Sequence, residues 1–345
     1  MPNGRYPVKL ATTTGDFAAY GATPAEQIRC FEGTGFRHLD LNLYRSIYPG
    51  SPLLNARWDG VVDEAAAAAA ELGFDFCQAH APDGKLHVPG EAFEVFLAAT
   101  IRAIETCARL NIPAIVVHAQ DIGGYPSRAN RQENLLRNRA FFACLMPVME
   151  KTGVQVLLEN SCDTHAPTRR ENPRNMPSTA AELLELIELI DHPLFHACWD
   201  TGHANIQGAD PYQSLVELGG QLRGLHIADN YGDVDSHVAP FQGTTNLDAL
   251  MQGLIDSGYN GYFTFESSHI LRNGGAWPHF RREWNYQGQT VTRLMNVPLA
   301  LKRQAVALLY QIGRHMLATY DCLEEDEPVS TGATARTVKK GMLGR

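Results

Sequence analysis

Residues 154–160 read VQVLLEN, a short apolar run that follows Gly153 and closes on a glutamate. A run of this length and composition suits a strand buried on both faces, as in a parallel sheet, better than a helix. Working outward, seven more such runs occur: VKLAT (8–12), RHLDLNL (37–43), FDFCQAH (74–80), AIVVHA (114–119), LFHACWD (194–200), LRGLHIAD (222–229) and YFTFES (262–267). Amphipathic or alanine-rich segments alternate with them near 25–35, 60–72, 91–110, 131–151, 178–190, 211–219, 246–257 and 297–322. Thr23-Pro, Ser178-Thr and Asp210-Pro supply helix starts. Eight strands and eight helices in strict alternation predict an α/β fold, a closed (β/α)8 TIM barrel. An open doubly wound sheet would carry a glycine-rich phosphate turn after its first strand, and TTTGDFAAYGAT (12–23) is not G-x-G-x-x-G.

No linker divides residues 1–322, which are expected to form one barrel domain with a long loop at 267–295; residues 323–345 are expected to be a flexible tail. The loop carries Trp277, Phe280, Trp284 and Tyr286 beside Arg281 and Arg282. Loops of that length are functional or form interfaces, so a homo-oligomer stays open. The net charge of −9 over 345 residues gives no global attraction to nucleic acid or to an anionic membrane. The start MPNGRYPVKLATTTG lacks a signal peptide's basic and apolar regions, and no run is long enough to span a bilayer. Seven scattered cysteines without a C-x-x-C pair fit neither a disulfide framework nor a thiolate zinc site, and point to a reducing, cytoplasmic setting.

In a barrel of this kind chemistry sits at the C-terminal ends of the strands. His80 ends the third run, His118 the fourth, Glu159 the fifth and Asp200 the sixth, with His203 just beyond; His226 and Glu266 stand at the ends of the seventh and eighth. Each alone has an ordinary explanation. A lone histidine is more often a hydrogen-bonded rim residue, Glu159 or Glu266 alone could be a salt-bridge partner, and Asp200 could cap the next helix. Converging on one mouth with no lysine at those positions, these groups need a cation between them. Glu159, Asp200, His226 and Glu266 make three carboxylates and one imidazole, a set that suits one Mn²⁺, Mg²⁺ or Co²⁺, with Zn²⁺ favoured by more imidazoles. His80, His118, His203, Asp235 and His237 are then substrate contacts, orienting groups or ligands of further ions. Trp199 reads as core or pocket wall.

Through LLEN, CWDTGHAN, GLHIADN, DSHVAPFQGTTN and FTFES, the sequence resembles the xylose-isomerase-like TIM barrels, a superfamily of sugar isomerases and epimerases that also holds metal-dependent apurinic-site endonucleases. In the epimerase branch, the resemblance implies one divalent ion on Glu159, Asp200, His226 and Glu266, with the two glutamates as acid and base and a small sugar as substrate. In the endonuclease branch, it implies that His80, His118, His203, Asp235 and His237 join them around three zinc ions. The loops after the first two strands carry only Arg45 and Arg57, which speaks against a DNA surface. The expectation is therefore a metal-dependent isomerase or epimerase of a sugar or related hydroxycarbonyl compound, its alternatives being the endonuclease, a dehydratase or lyase on a keto-cyclitol, or a barrel that binds without catalysis. His165 stands where ketose epimerases carry a second substrate-binding glutamate, no arginine closely follows His226, and the aromatic loop is an addition, so the substrate is left open.

Overall fold

The protein is described by a computed structural model over residues 7–47, 51–83, 90–119, 130–162 and 176–326. Eight strands form a single parallel sheet: β1 (Lys9–Thr13), β2 (His38–Asn42), β3 (Asp75–His80), β4 (Ala114–His118), β5 (Gln155–Glu159), β6 (Phe195–Asp200), β7 (Leu222–His226) and β8 (Tyr262–Phe265). β1 to β7 pair successively, and β1 also pairs with β8. The ring closes between β7 and β8 through Ile227, whose N–H donates to the Thr264 carbonyl at 2.8 Å and whose carbonyl accepts the Glu266 N–H at 3.0 Å. All eight expected strands are present, and they close into the expected barrel.

Helices α1 (Pro24–Arg29), α2 (Trp58–Leu72), α3 (Glu91–Arg109), α4 (Arg131–Thr152), α5 (Ala180–Ile190), α6 (Thr201–Gln207), α7 (Pro211–Leu218), α8 (Leu247–Ser257) and α9 (Leu299–Thr319) connect and surround the strands. Their starts follow capping chemistry. Thr23 and Glu26 make a reciprocal capping box on α1, and Thr179, Asp210 and Asn246 cap α5, α7 and α8. Outward-facing strand residues and inward helix faces bury one continuous shell that includes Phe31, Leu39, Ile115, Phe142, Phe195, Phe263 and Leu309. Full burial of each such side chain stabilises the fold by about 1.5–3 kcal/mol. Gly313 lets α9 approach the barrel, because a Cβ there would sit 2.6 Å from Leu10 and 2.7 Å from Phe265.

The barrel interior is small. Ala114, Val116, Leu157 and Cys198 form their own buried cluster, and Gly224 faces Leu157, Gln78 and Cys198. Side chains alternate along a strand, so the residues two positions further on, His118, Glu159, Asp200, His226 and His80, also point inward at the strand ends.

Three local features differ from the sequence expectations. The 267–295 segment contains an antiparallel hairpin, β9 (Trp284–Tyr286) and β10 (Gln289–Val291). Gln287 and Gly288 at its turn both have positive φ, 51° and 79°, the backbone of a tight hairpin. Residues 201–207, outside the eight expected helical segments, form α6 on an Asp200 cap. Residues 323–326, expected as tail, are held: Val8 N–H donates to the Cys322 carbonyl, Glu324 N–H donates to the Val8 carbonyl, and His38 Nε2 lies 2.8 Å from Asp326. The rest of the expected tail, 327–345, and His165 lie outside the described residues. Among the described residues, no helix is long and apolar enough to cross a membrane.

Candidate metal centre

His80, His118, Glu159, Asp200 and His226 are each the last residue of their strand, and Glu266 directly follows β8. Parallel pairing levels them: His118 is opposite Glu159, and Asp200 is opposite His226. One ligand atom from each of Glu159, Asp200, His226 and Glu266 lies within 4.8 Å of the others, and the first three are completely or almost completely buried.

Glu159 is the hub. Its Oε1 lies 2.7 Å from His226 Nδ1, and its Oε2 lies 2.7 Å from His118 Nε2 and 3.6 Å from His80 Nε2. His226 Nδ1 is also 3.4 Å from Glu266 Oε2, so one imidazole stands between the two glutamates. Asp200 divides its two oxygens. Oδ1 accepts the His203 N–H at 2.6 Å and so caps α6, while Oδ2 is buried with no hydrogen-bond partner. Both readings of Asp200 thus have an atom available: one oxygen is a cap, and the other is a buried acceptor without a partner.

A second set adjoins the first. His203 Nδ1–H donates to the Asn160 carbonyl at 2.7 Å and turns Nε2 to within 3.4 Å of Asp235; His237 Nε2 lies 2.7 Å from the same Asp235 oxygen. His237 Nδ1–H donates to the Glu266 carbonyl at 2.8 Å, which helps hold a backbone of φ 44° that non-glycine residues adopt only under constraint. The loop carrying Asp235 and His237 is tied to Asp229, whose carboxylate accepts the N–H groups of Gly243 and Thr245 and the Thr245 hydroxyl. A Cβ at Gly243 would lie 2.2 Å from the Asn230 carbonyl and 2.3 Å from Asp229, so only glycine fits.

Burial opposes charge throughout this site. At Glu159 burial is outweighed by His226 and His118, which hold its carboxyl well below the usual carboxylate range. Asp200 goes the other way, with burial pushing it up to about 7 against the pull of His203. Asp235 is held far below its ordinary value, burial being overcome by His237 and His203. The imidazoles of His203 and His226 are correspondingly raised, burial yielding to the carboxylates they face, and His237 reaches about 10 beside Asp235. Among the described residues, every ion-pair partner of Glu159, Asp200, Asp235 and Glu266 is a histidine. With no fixed cation and one orphaned oxygen, the quartet fits a divalent ion, and its oxygen-rich donors suit a hard or borderline one.

Three residues here escape a reading confined to strand ends. Asp40, in the middle of HLDLN, lies on the barrel floor with Oδ2 3.2 Å from His226 Nε2. Gln78 donates to that same oxygen at 2.9 Å. Asn160 brackets Asp200, donating to its carbonyl and accepting its N–H. A charged residue inside an apolar alternation was the available signal for Asp40. Trp199 is fully buried in the core.

The model of the xylose isomerase-like TIM barrel matches residues 34–282. Fructoselysine 3-epimerase of Escherichia coli O157:H7 is 37% identical over 100 residues, 29% of this chain and 36% of that protein. Inosose dehydratase of Geobacillus kaustophilus is 30% identical over 106 residues, 26% of this chain and 34% of that protein. The chain thus spans about a third of the length of these curated relatives. Among solved structures, a D-tagatose 3-epimerase-like protein superposes with a TM-score of 0.66 at 17% identity, covering 91% of this chain and 98% of its own. The D-psicose 3-epimerase of Clostridium cellulolyticum H10 gives 0.63 at 17%, covering 90% and 99%. At these identities the structural likeness is one of fold.

Proposed function

Because this chain belongs to the xylose isomerase-like TIM barrel family, we propose that it is a divalent-metal-dependent isomerase or epimerase of a sugar or related hydroxycarbonyl compound. The observation that carries the reading is the convergence of Glu159, Asp200, His226 and Glu266 within 4.8 Å, with Asp200 Oδ2 buried and unpartnered. A divalent ion on these four residues would polarise the substrate carbonyl and offset the charge that develops when the adjacent C–H proton leaves.

The protein's own groups move the proton. Glu159 and Glu266 flank His226 and serve as a two-carboxylate pair, one removing the proton and the other returning it. His118 and His226 keep Glu159 ionised and therefore able to accept. His203, fixed by Asn160, aims Nε2 beside Asp235 as a hydrogen-bond partner for a substrate oxygen, and His80, His118 and His237 line the same mouth. The sugar-epimerase relatives support this class, and the dehydratase relative is compatible with the same first proton removal.

The test is exchange and turnover. Purified protein loaded with Mn²⁺ or Co²⁺ and offered ketoses, ketose derivatives and inososes in D₂O should incorporate deuterium next to the carbonyl of at least one of them, followed by proton NMR. No exchange across that panel with metal-loaded protein rules the reading out.

A second reading is favoured by Asp235, whose Oδ1 is buried without a partner while His203 and His237 flank the carboxylate. These donors would accommodate further ions, as in an apurinic-site endonuclease. Metal analysis separates the two: one ion per chain fits the isomerase, three zinc ions the nuclease.

A further inference from the structure

We infer that Asp40 is a positioning residue that fixes His226 with its proton on Nε2, leaving the Nδ1 lone pair directed at the proposed ion. This rests on the metal-dependent reading above.

The geometry is specific. His226 Nδ1 faces the cluster, 2.7 Å from Glu159 and 3.4 Å from Glu266, whereas Nε2 faces away, 3.2 Å from Asp40 Oδ2. β2 and β7 lie on different sides of the ring, so the two side chains meet across the barrel interior. A neutral imidazole carries one N–H, and a carboxylate can only accept it. Both ring nitrogens face carboxylates, Nδ1 at Glu159 and Nε2 at Asp40. With Glu159 engaged by an ion, Asp40 is the acceptor left for the single N–H, which selects the tautomer that would ligate through Nδ1.

Asp40 is held for this task at some cost. It is almost fully buried, no lysine or arginine pairs with it among the described residues, and Oδ1 has no hydrogen-bond partner. Gln78, fixed in turn by the Leu225 carbonyl, donates to Oδ2 and sets the carboxylate's position. A carboxylate buried without a fixed cation is unfavourable unless a neighbour needs it. His80, His203 and His237 use backbone carbonyls to fix their rings, and His226 uses this carboxylate.

The test compares Mn²⁺ binding to wild-type protein, Asp40→Asn and Asp40→Ala, read from free Mn²⁺ by electron paramagnetic resonance, alongside thermal unfolding of the metal-free proteins. The expected result is Mn²⁺ binding weakened about 10–100-fold in both variants, as when a metal-bound histidine loses its carboxylate partner. A purely structural role predicts lower metal-free stability with affinity within about threefold of wild type, which would overturn the inference and leave the proposed function standing. Wild-type protein that binds no Mn²⁺ overturns both. A measurement that needs no variant is the proton spectrum of the Co²⁺-loaded wild type: a hyperfine-shifted, slowly exchanging imidazole N–H that disappears in D₂O supports the assignment, and its absence overturns it.

Discussion

Glu266 differs from its three partners in keeping 14% of its side chain exposed, against 0% for His226 and 1% for Glu159. Its replacement by glutamine keeps the shape and removes the carboxylate that the proposed function uses as an acid or base. Glu266→Gln is expected to lower kcat by about 10²–10⁴, the usual worth of a general acid or base. Its thermal midpoint should stay near wild type; wild-type turnover in this variant would remove Glu266 from the pair. At this scale the candidate cluster was legible because histidines and carboxylates end successive apolar runs and so converge on one mouth, although each alone has an ordinary use. The orienting groups were not. Asp40 and Asn160 act through contacts 186 and 40 positions away in the chain, which no local pattern encodes.

Elements with a long periodic apolar face were readable, and elements without one were missed. β1 to β8 and the longer helices carry periodic apolar residues, whereas TGHANIQ makes a seven-residue helix on its Asp200 cap and its packing against β6 and β7. The β9–β10 hairpin is exposed on all but one residue, with Trp284 and Tyr286 stacked on each other at 5.3 Å. Replacing residues 284–291 by a short glycine-serine link is therefore expected to leave the unfolding midpoint almost unchanged. A large loss of stability in a calorimetric scan would mean that the hairpin is covered by another surface. The loop after β7 should behave oppositely. Gly243→Ala forces Asp229 or the Asn230 carbonyl aside and should cost about 1–3 kcal/mol, in the range of overpacked cores. It should also raise KM, since Asp235 and His237 ride on that loop; a variant with unchanged denaturation midpoint and KM would refute this.

For the whole molecule, the alternation of eight strands with helices, together with the lack of a glycine-rich turn after the first strand, pointed to a closed barrel over an open doubly wound sheet. The path of the chain just after α9 was not specified: residues 322–324 run back beside Val8, next to β1, through backbone bonds that have no sequence signature. An ion shared by four strand ends should also stabilise the barrel itself. Chelation should lower the thermal midpoint, and Mn²⁺ at 100 times its Kd should restore about 2.7 kcal/mol, visible in calorimetry as a higher transition. The ring's closure adds a spatial consequence. β7 and β8 are joined only around Ile227, and His226 and Glu266 stand on opposite sides of that join. Whatever grips both residues acts as a clasp on the one seam where the cylinder was made from a sheet. Deuterium uptake in peptides spanning 222–230 and 262–268, followed by mass spectrometry, should slow when Mn²⁺ is added and quicken when it is removed, so breathing of the barrel and occupancy of its mouth become a single observable.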